Sequence, residues 1–177
     1  VGGIFFYGGI DSTFARMESK KISFIEEYEV TQRLLAKLPK VDALNTLVIN
    51  VSPDYSSIIT QRILHHLSSN GHLPHLDHVD VPYPGEHYEP YRATFRNKSE
   101  TYSILYDKVV ICEAAVLSGR NYTWIQEILY DRGFEKDDII SVALFEHKDS
   151  VFKCDYVGEH CDYMPDFHWE TYNVNWL

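Results

Sequence analysis

The chain is poor in cysteine, in long apolar runs and in positive charge. Its 177 residues include three cysteines, Cys112, Cys154 and Cys161, and no C-x-x-C pair. So few and so scattered, these thiols argue against a disulfide framework and against a zinc site built on cysteine. No apolar stretch approaches the ~20 residues that a membrane helix needs, which excludes a helical span. Basic residues number 16 against 26 acidic ones, for a net charge of −10. A chain so charged repels nucleic acid backbones, so general DNA or RNA binding is excluded. The opening VGGIFFYGGIDSTFAR lacks the basic-then-apolar build of a signal peptide, and the expected location is a reducing cytoplasm. What remains is an ordinary globular balance, 45% hydrophobic and 24% charged, at a length that suits one domain.

Residues 1–21 are glycine-rich and then basic, and read as an N-terminal extension to a domain over 22–177. Ser23-Phe-Ile-Glu26 forms a capping box and predicts a helix over 23–38, ending before Pro39. TLVINV (46–51) is β-branched and almost wholly apolar, the pattern of a buried strand. Ser52-Pro-Asp54 turns the chain into a second helix, closed by Asn70-Gly71. Residues 72–100, rich in His, Pro and Tyr, read as a long loop, a feature that in a compact domain is functional or mobile. A second buried strand covers 108–112. A helix then opens at Ser118-Gly-Arg-Asn121 and stops at Arg132-Gly133, and a third strand covers 138–145. Strand–helix–strand with short joints is a βαβ unit, so the expected fold is a single α/β domain, Rossmann-like, with a parallel sheet and helices on both faces.

Ligands of open parallel sheets bind beyond the carboxyl ends of the strands, where helices begin. Glu113 leaves the second strand there. Ser118, Gly119, Arg120 and Asn121 follow just before a helix whose free amides and dipole suit a phosphate. The alternative is a plain glycine turn with Ser118 or Asn121 as N-cap. His72, His75 and His78 have ligand-type side chains, but Pro74 keeps a regular helix from aligning them, and a solvated loop is the expectation. Phe6-Tyr-Gly-Gly-Ile-Asp-Ser-Thr13 resembles the phosphate loop of ATP pyrophosphatases, with Tyr7 in place of the leading Ser, against a plain N-terminal turn.

The stretch VVICEAAVLSGRNYTWI resembles the phosphoribosyltransferase signature, a strand followed by two acidic residues, two apolar ones, Asp-Thr-Gly and a helix. From residue 22 onward the order of segments resembles the hypoxanthine-guanine branch of type I phosphoribosyltransferases. TLVINVSPDYSS corresponds to the strand and pyrophosphate loop. Residues 72–106 correspond to the mobile catalytic loop, ISVALFEHK to the strand after the signature helix, and FKCDYVGEHCDYMPDF to the segment that stacks on the purine. The resemblance implies Glu113 for a ribose hydroxyl and Ser118, Gly119, Arg120 and Asn121 for a 5′-phosphate. It also implies Tyr156 and Val157 against the base, Asp162 as a metal carboxylate for Mg2+, and a homo-oligomer.

Four positions depart from the family pattern. The second acidic residue falls on Ala114. The Asp that exchanges a proton with the base falls on Leu117, which moves no proton. The Lys that reads the purine falls on Ser141, and the basic pyrophosphate loop carries Asp54, which repels a diphosphate. Glu86, His87 and Glu89, in the segment that corresponds to the mobile loop, are alternative proton carriers. Two functions follow as expectations. One is a protein that binds a nucleotide or phosphorylated ribose, with ordinary purine transfer lost or altered. The other is a non-catalytic binding, regulatory or self-assembling protein that keeps the fold only. Thirteen tyrosines and the tail DFHWETYNVNWL fit an interface in either case.

Overall fold

The computed structural model describes residues 17–51, 53–80, 94–95 and 102–168. Strand β1 (Ser19–Ile22) leads into helix α1 (Phe24–Leu35), and β2 (Thr46–Val51) into α2 (Pro53–His66). Then come β3 (His75–Asp80), β4 (Thr94–Phe95) and the single turn α3 (Tyr102–Leu105). Last are β5 (Lys108–Val116), α4 (Arg120–Asp131), β6 (Ile139–His147), β7 (Tyr156–Cys161) and β8 (Met164–Phe167). The main sheet runs β4-β3-β2-β5-β6-β7. Its five strands from β3 to β7 are parallel, and only the two-residue β4 is antiparallel. A separate two-stranded sheet pairs β1 with β8 in parallel, so the 21/22 boundary falls within β1.

Alternation along the strands sends side chains to two cores. Val48, Val110, Cys112, Ala114, Val142 and Leu144 meet α1 and α2 on one face. Leu47, Ile49, Val109, Ile111 and Ala143 meet α4 on the other. A βαβ crossover from β5 through α4 to β6 covers that second face. Helices therefore lie on both faces of one α/β domain, as the sequence predicts.

Local chemistry sets the element ends. Ser23 Oγ accepts from the Glu26 amide at 3.2 Å and starts α1, but the Glu26 carboxylate turns to Lys20 Nζ at 2.6 Å instead of closing the box. The helix stops at Leu35, three residues short of the expected end, and tight turns carry the chain on through Leu38. Asn70 and Gly71, both at positive φ, follow α2 as expected.

The expected loop over 72–100 is corrected at its start, where His75–Asp80 is a strand paired with β2. His75 and His78 stand three apart on it and so face opposite sides of the sheet. His78 Nδ1 lies 3.4 Å from Asn50 Nδ2, and the His75 ring packs on Tyr106. Strand β5 runs to Val116, four residues past its expected end, because its pairing with β6 continues to Val116↔Glu146. Among the described residues no helix is long and apolar enough to cross a membrane.

Candidate functional site

The carboxyl ends of the parallel strands share one edge, and most of the sequence-derived site residues gather along it. Glu113 lies within β5 and does not leave it. In register across β5, β6 and β7 it stands beside Ala143 and Val157, so these three point to the α4 face. Asn121, in the first turn of α4, donates to Glu113 Oε1 at 3.4 Å. Protein surrounds the carboxyl while part of the residue stays open to solvent. Burial pushes its pKa up to about 8, and the Asn121 hydrogen bond opposes that rise. A carboxyl poised near neutrality can accept from or donate to a hydroxyl.

The turn between β5 and α4 is built on Gly119, whose φ of +79° suits glycine. Gly119 is the N-cap of α4 and no side chain caps it; the expected cap on Ser118 or Asn121 is corrected here. Ser118 Oγ makes only a long contact, 3.4 Å, with the Arg120 amide. The amides of Arg120, Asn121 and Tyr122 have no carbonyl four residues back within the helix, which is the source of anion affinity at such ends. Arg120 is exposed at this end of the helix. Behind the turn Tyr122 is fully buried and its hydroxyl donates to the Val142 carbonyl at 2.6 Å, which ties α4 to β6.

Tyr156 belongs to the preceding register row, beside Val142, and packs against the α1 and α2 core. It is therefore not brought together with Glu113. Val157 is buried, and its carbonyl accepts from Lys37 Nζ at 2.8 Å. Asp162 is exposed between β7 and β8, 3.6 Å from Lys148 Nζ. It lines an open cleft of about 760 Å³ between the β1–β8 sheet and the end of β6, with Lys20, Lys21, His147, Lys148 and Asp149. The Asp149 amide donates to His147 Nδ1 at 3.1 Å, which fixes that nitrogen as an acceptor.

Among the described residues no three His, Cys, Asp or Glu side chains gather as metal ligands. With a lysine facing it, Asp162 offers Mg2+ a single protein carboxylate. Such a site fits an ion carried on phosphates and not a protein-held one.

Three of the four departure positions have visible surroundings. Ala114 is buried, and its amide donates to Ser56 Oγ on α2 at 3.0 Å. Ser141 is bound three times by Asp155: its amide and hydroxyl donate to Asp155 Oδ2 at 2.8 and 2.7 Å, and its hydroxyl accepts from the Asp155 amide at 2.9 Å. Leu117 is half-buried. The Asp54 side chain, Glu86, His87, Glu89 and the Phe6–Thr13 motif lie outside what is described.

Sequence reasoning missed Glu146, a charge in the otherwise apolar run ALFEH, and that oddity was its signal. Glu146 is fully buried, accepts from the Cys154 amide at 2.7 Å, and has Lys153 Nζ and His160 Nδ1 each 3.4 Å from Oε1. Burial, and then the Glu146 charge, push the Cys154 thiol up, so it is a protonated, inert sulfur.

No family model matches the sequence, and no curated protein matches it. Solved structures do. The chain is similar to the purine phosphoribosyltransferase of Pyrococcus horikoshii, with a TM-score of 0.64 at 17% identity over 86% of this chain and 95% of that one. It is similar to the Helicobacter pylori xanthine-guanine-hypoxanthine phosphoribosyltransferase, with a TM-score of 0.63 at 14% identity over 88% and 94%. A Trypanosoma cruzi hypoxanthine phosphoribosyltransferase complexed with the product IMP gives 0.56 at 16% over 76% and 74%. At such identities the likeness is one of architecture, and the architecture is that of the type I phosphoribosyltransferases.

Proposed function

We propose that the chain binds a nucleotide or a phosphorylated ribose at the carboxyl edge of its sheet, with ordinary purine transfer lost or altered. One observation carries the reading. The carboxyl of the half-buried Glu113 and the uncapped first turn of α4 meet through Asn121 at 3.4 Å, a pairing suited to a ribose hydroxyl beside its 5′-phosphate. Loss or alteration of transfer follows from the departures. Leu117 moves no proton, Ala114 faces the core, and Ser141 is held by Asp155. Val157, on the same sheet face as Glu113, remains the proposed base contact, and Asp162 the proposed partner of a phosphate-borne Mg2+.

Melting with GMP, IMP, AMP, UMP or phosphoribosyl pyrophosphate, each with magnesium, tests the reading. A ligand at 100 times its Kd adds about 2.7 kcal/mol. That is a rise of about 5–10 °C at this chain length. The expected result is such a rise with one compound, abolished by Ser118→Glu. A flat panel from a cooperatively melting protein overturns it.

The flat result would support the second reading, a non-catalytic scaffold. One observation favours that alternative: the Ser141 hydroxyl and amide are both spent on Asp155, an internal contact. Self-association belongs to either reading, on the exposure of Phe24 (58%), Ile25 (69%) and Tyr28 (50%) along α1. Sedimentation velocity on the same samples reads it, and a monomer at all concentrations refutes it.

A further inference from the structure

We infer that residues 148–155 form a strap that holds the Ser118–Gly119 turn in its binding shape, with Phe152 as the pressing residue and Glu146 as the anchor. This rests on the reading of that turn as a phosphate site. The strap joins β6 to β7 and crosses back over the start of α4. At its middle the Val151 amide donates to the Ser118 carbonyl at 3.1 Å. The Phe152 ring packs on the Tyr122 ring with centroids 5.1 Å apart. Its backbone nitrogen lies 2.8 Å, and Ser150 Oγ 2.6 Å, from where a methyl on Gly119 would stand. Protein therefore backs the turn on the side where a Gly119 side chain would stand.

The strap is itself built to stay in place. The Ser150 amide donates to the His147 carbonyl at 3.0 Å, and Ser150 Oγ donates to the Phe152 carbonyl at 2.7 Å. Lys153 Nζ donates to the Lys148 carbonyl at 2.9 Å, which cross-braces the two ends. The far end is pinned twice, by the three Ser141–Asp155 bonds and by Glu146 Oε2 on the Cys154 amide. Glu146 Oε1 has no hydrogen-bond partner, and Lys153 and His160 stand 3.4 Å from it. A buried carboxylate is costly unless something requires its charge. Here the requirement is to hold Lys153 and the Cys154 amide, and through them Phe152, against α4. Phe152 and Glu146 are thus positioning residues. They touch no ligand, and they set the direction of the amides that would.

Amide hydrogen exchange on the full chain, without ligand, tests the strap directly. In Phe152→Ala, and independently in Glu146→Ala, exchange over residues 117–124 and 150–155 should accelerate about tenfold while α1 and β2 keep their rates. Phe152→Leu should restore the wild-type pattern. Unchanged rates over 117–124, or a uniform acceleration through the chain, overturns the inference. Binding of ribose 5-phosphate is the second readout. Its Kd should rise about tenfold in Phe152→Ala and recover in Phe152→Leu. A wild-type protein that binds no ribose 5-phosphate refutes the phosphate reading alone, because the exchange pattern still decides whether the strap holds the turn.

Discussion

Gly119 and Gly71 share a φ of +79° and differ in what surrounds them, so one substitution at each separates backbone strain from packing. An alanine at φ near +79° costs about 1–2 kcal/mol, because its Cβ crowds its own carbonyl in the left-handed region. At Gly71 nothing lies within 4 Å of the added methyl, and strain is the whole expected cost. At Gly119 the methyl meets Ser150 Oγ at 2.6 Å and the Phe152 nitrogen at 2.8 Å. The nitrogen is backbone and cannot swing aside, so overpacking adds about 1–3 kcal/mol. Gly71→Ala should then lower Tm by about 2–8 °C and Gly119→Ala by about 4–20 °C, at 2–4 °C per kcal/mol for a chain of this length. Urea unfolding of both variants, with a common m-value, gives the difference between them directly. Equal costs would refute the reasoning, for they would mean that residues 150–152 do not lie on the turn.

Two further substitutions probe buried charge. Glu27 on α1 is fully buried and ion-paired to Arg62 on α2, with Thr31 Oγ1 donating to it at 2.9 Å. Arg62→Ala strands that carboxylate and should cost about 3–5 kcal/mol, whereas Glu27→Leu with Arg62→Met should be close to neutral. A loss below about 1 kcal/mol in Arg62→Ala, read by urea unfolding, would show the pair to be solvated. Glu113 titrates near 8 in the folded chain against an ordinary 4.5, so the folded state holds its proton more tightly than the unfolded one. Its contribution is therefore greatest below pH 4.5, falls as the pH rises from 4.5 to 8, and levels off above. Glu113→Gln removes that slope. The stability of wild type minus variant should decline across the window, and a difference that stays flat from pH 4 to 9 refutes the shift.

The fold was legible wherever apolar pattern and period agreed. TLVINV is buried at all six positions, and Tyr122, Ile125 and Leu129 recur at the helical spacing that seats α4. The pattern failed where polar side chains occupy the inner face. In β3, HLDHVD, the side that looks inward carries Asp77 and Val79, with Asp77 only 5% exposed while Leu76 is 43% exposed. Alternation reads such a strand inside out. Asp77 tolerates burial because its Oδ1 accepts from the His78 amide at 2.7 Å, a bond that no composition rule anticipates. The end of β5 was misplaced for a related reason. A glutamate suggests a strand exit, yet Glu113 stays in the sheet because Asn121 and partial solvent exposure accommodate it.

The site was less legible than the fold because its features depend on pairs that only folding brings together. Ser141 read alone is a lost lysine. In the structure it is half of a latch, since Asp155, fourteen residues later, spends one carboxylate oxygen and its own amide on it. A lysine at this position would keep the bond from its own amide but lose the two made by the Ser141 hydroxyl, loosening the end of the segment that backs the Ser118–Gly119 turn. Ser141 and Asp155 therefore belong to one arrangement, in which both side chains are spent on stiffening the scaffold. Ala114 follows the same logic. Its amide is fixed by Ser56 and its side chain lies in the α2 core, where a carboxylate would lose its hydration. At Ala114 and Ser141 alike, a longer polar side chain would disturb an existing internal contact before it could reach a ligand.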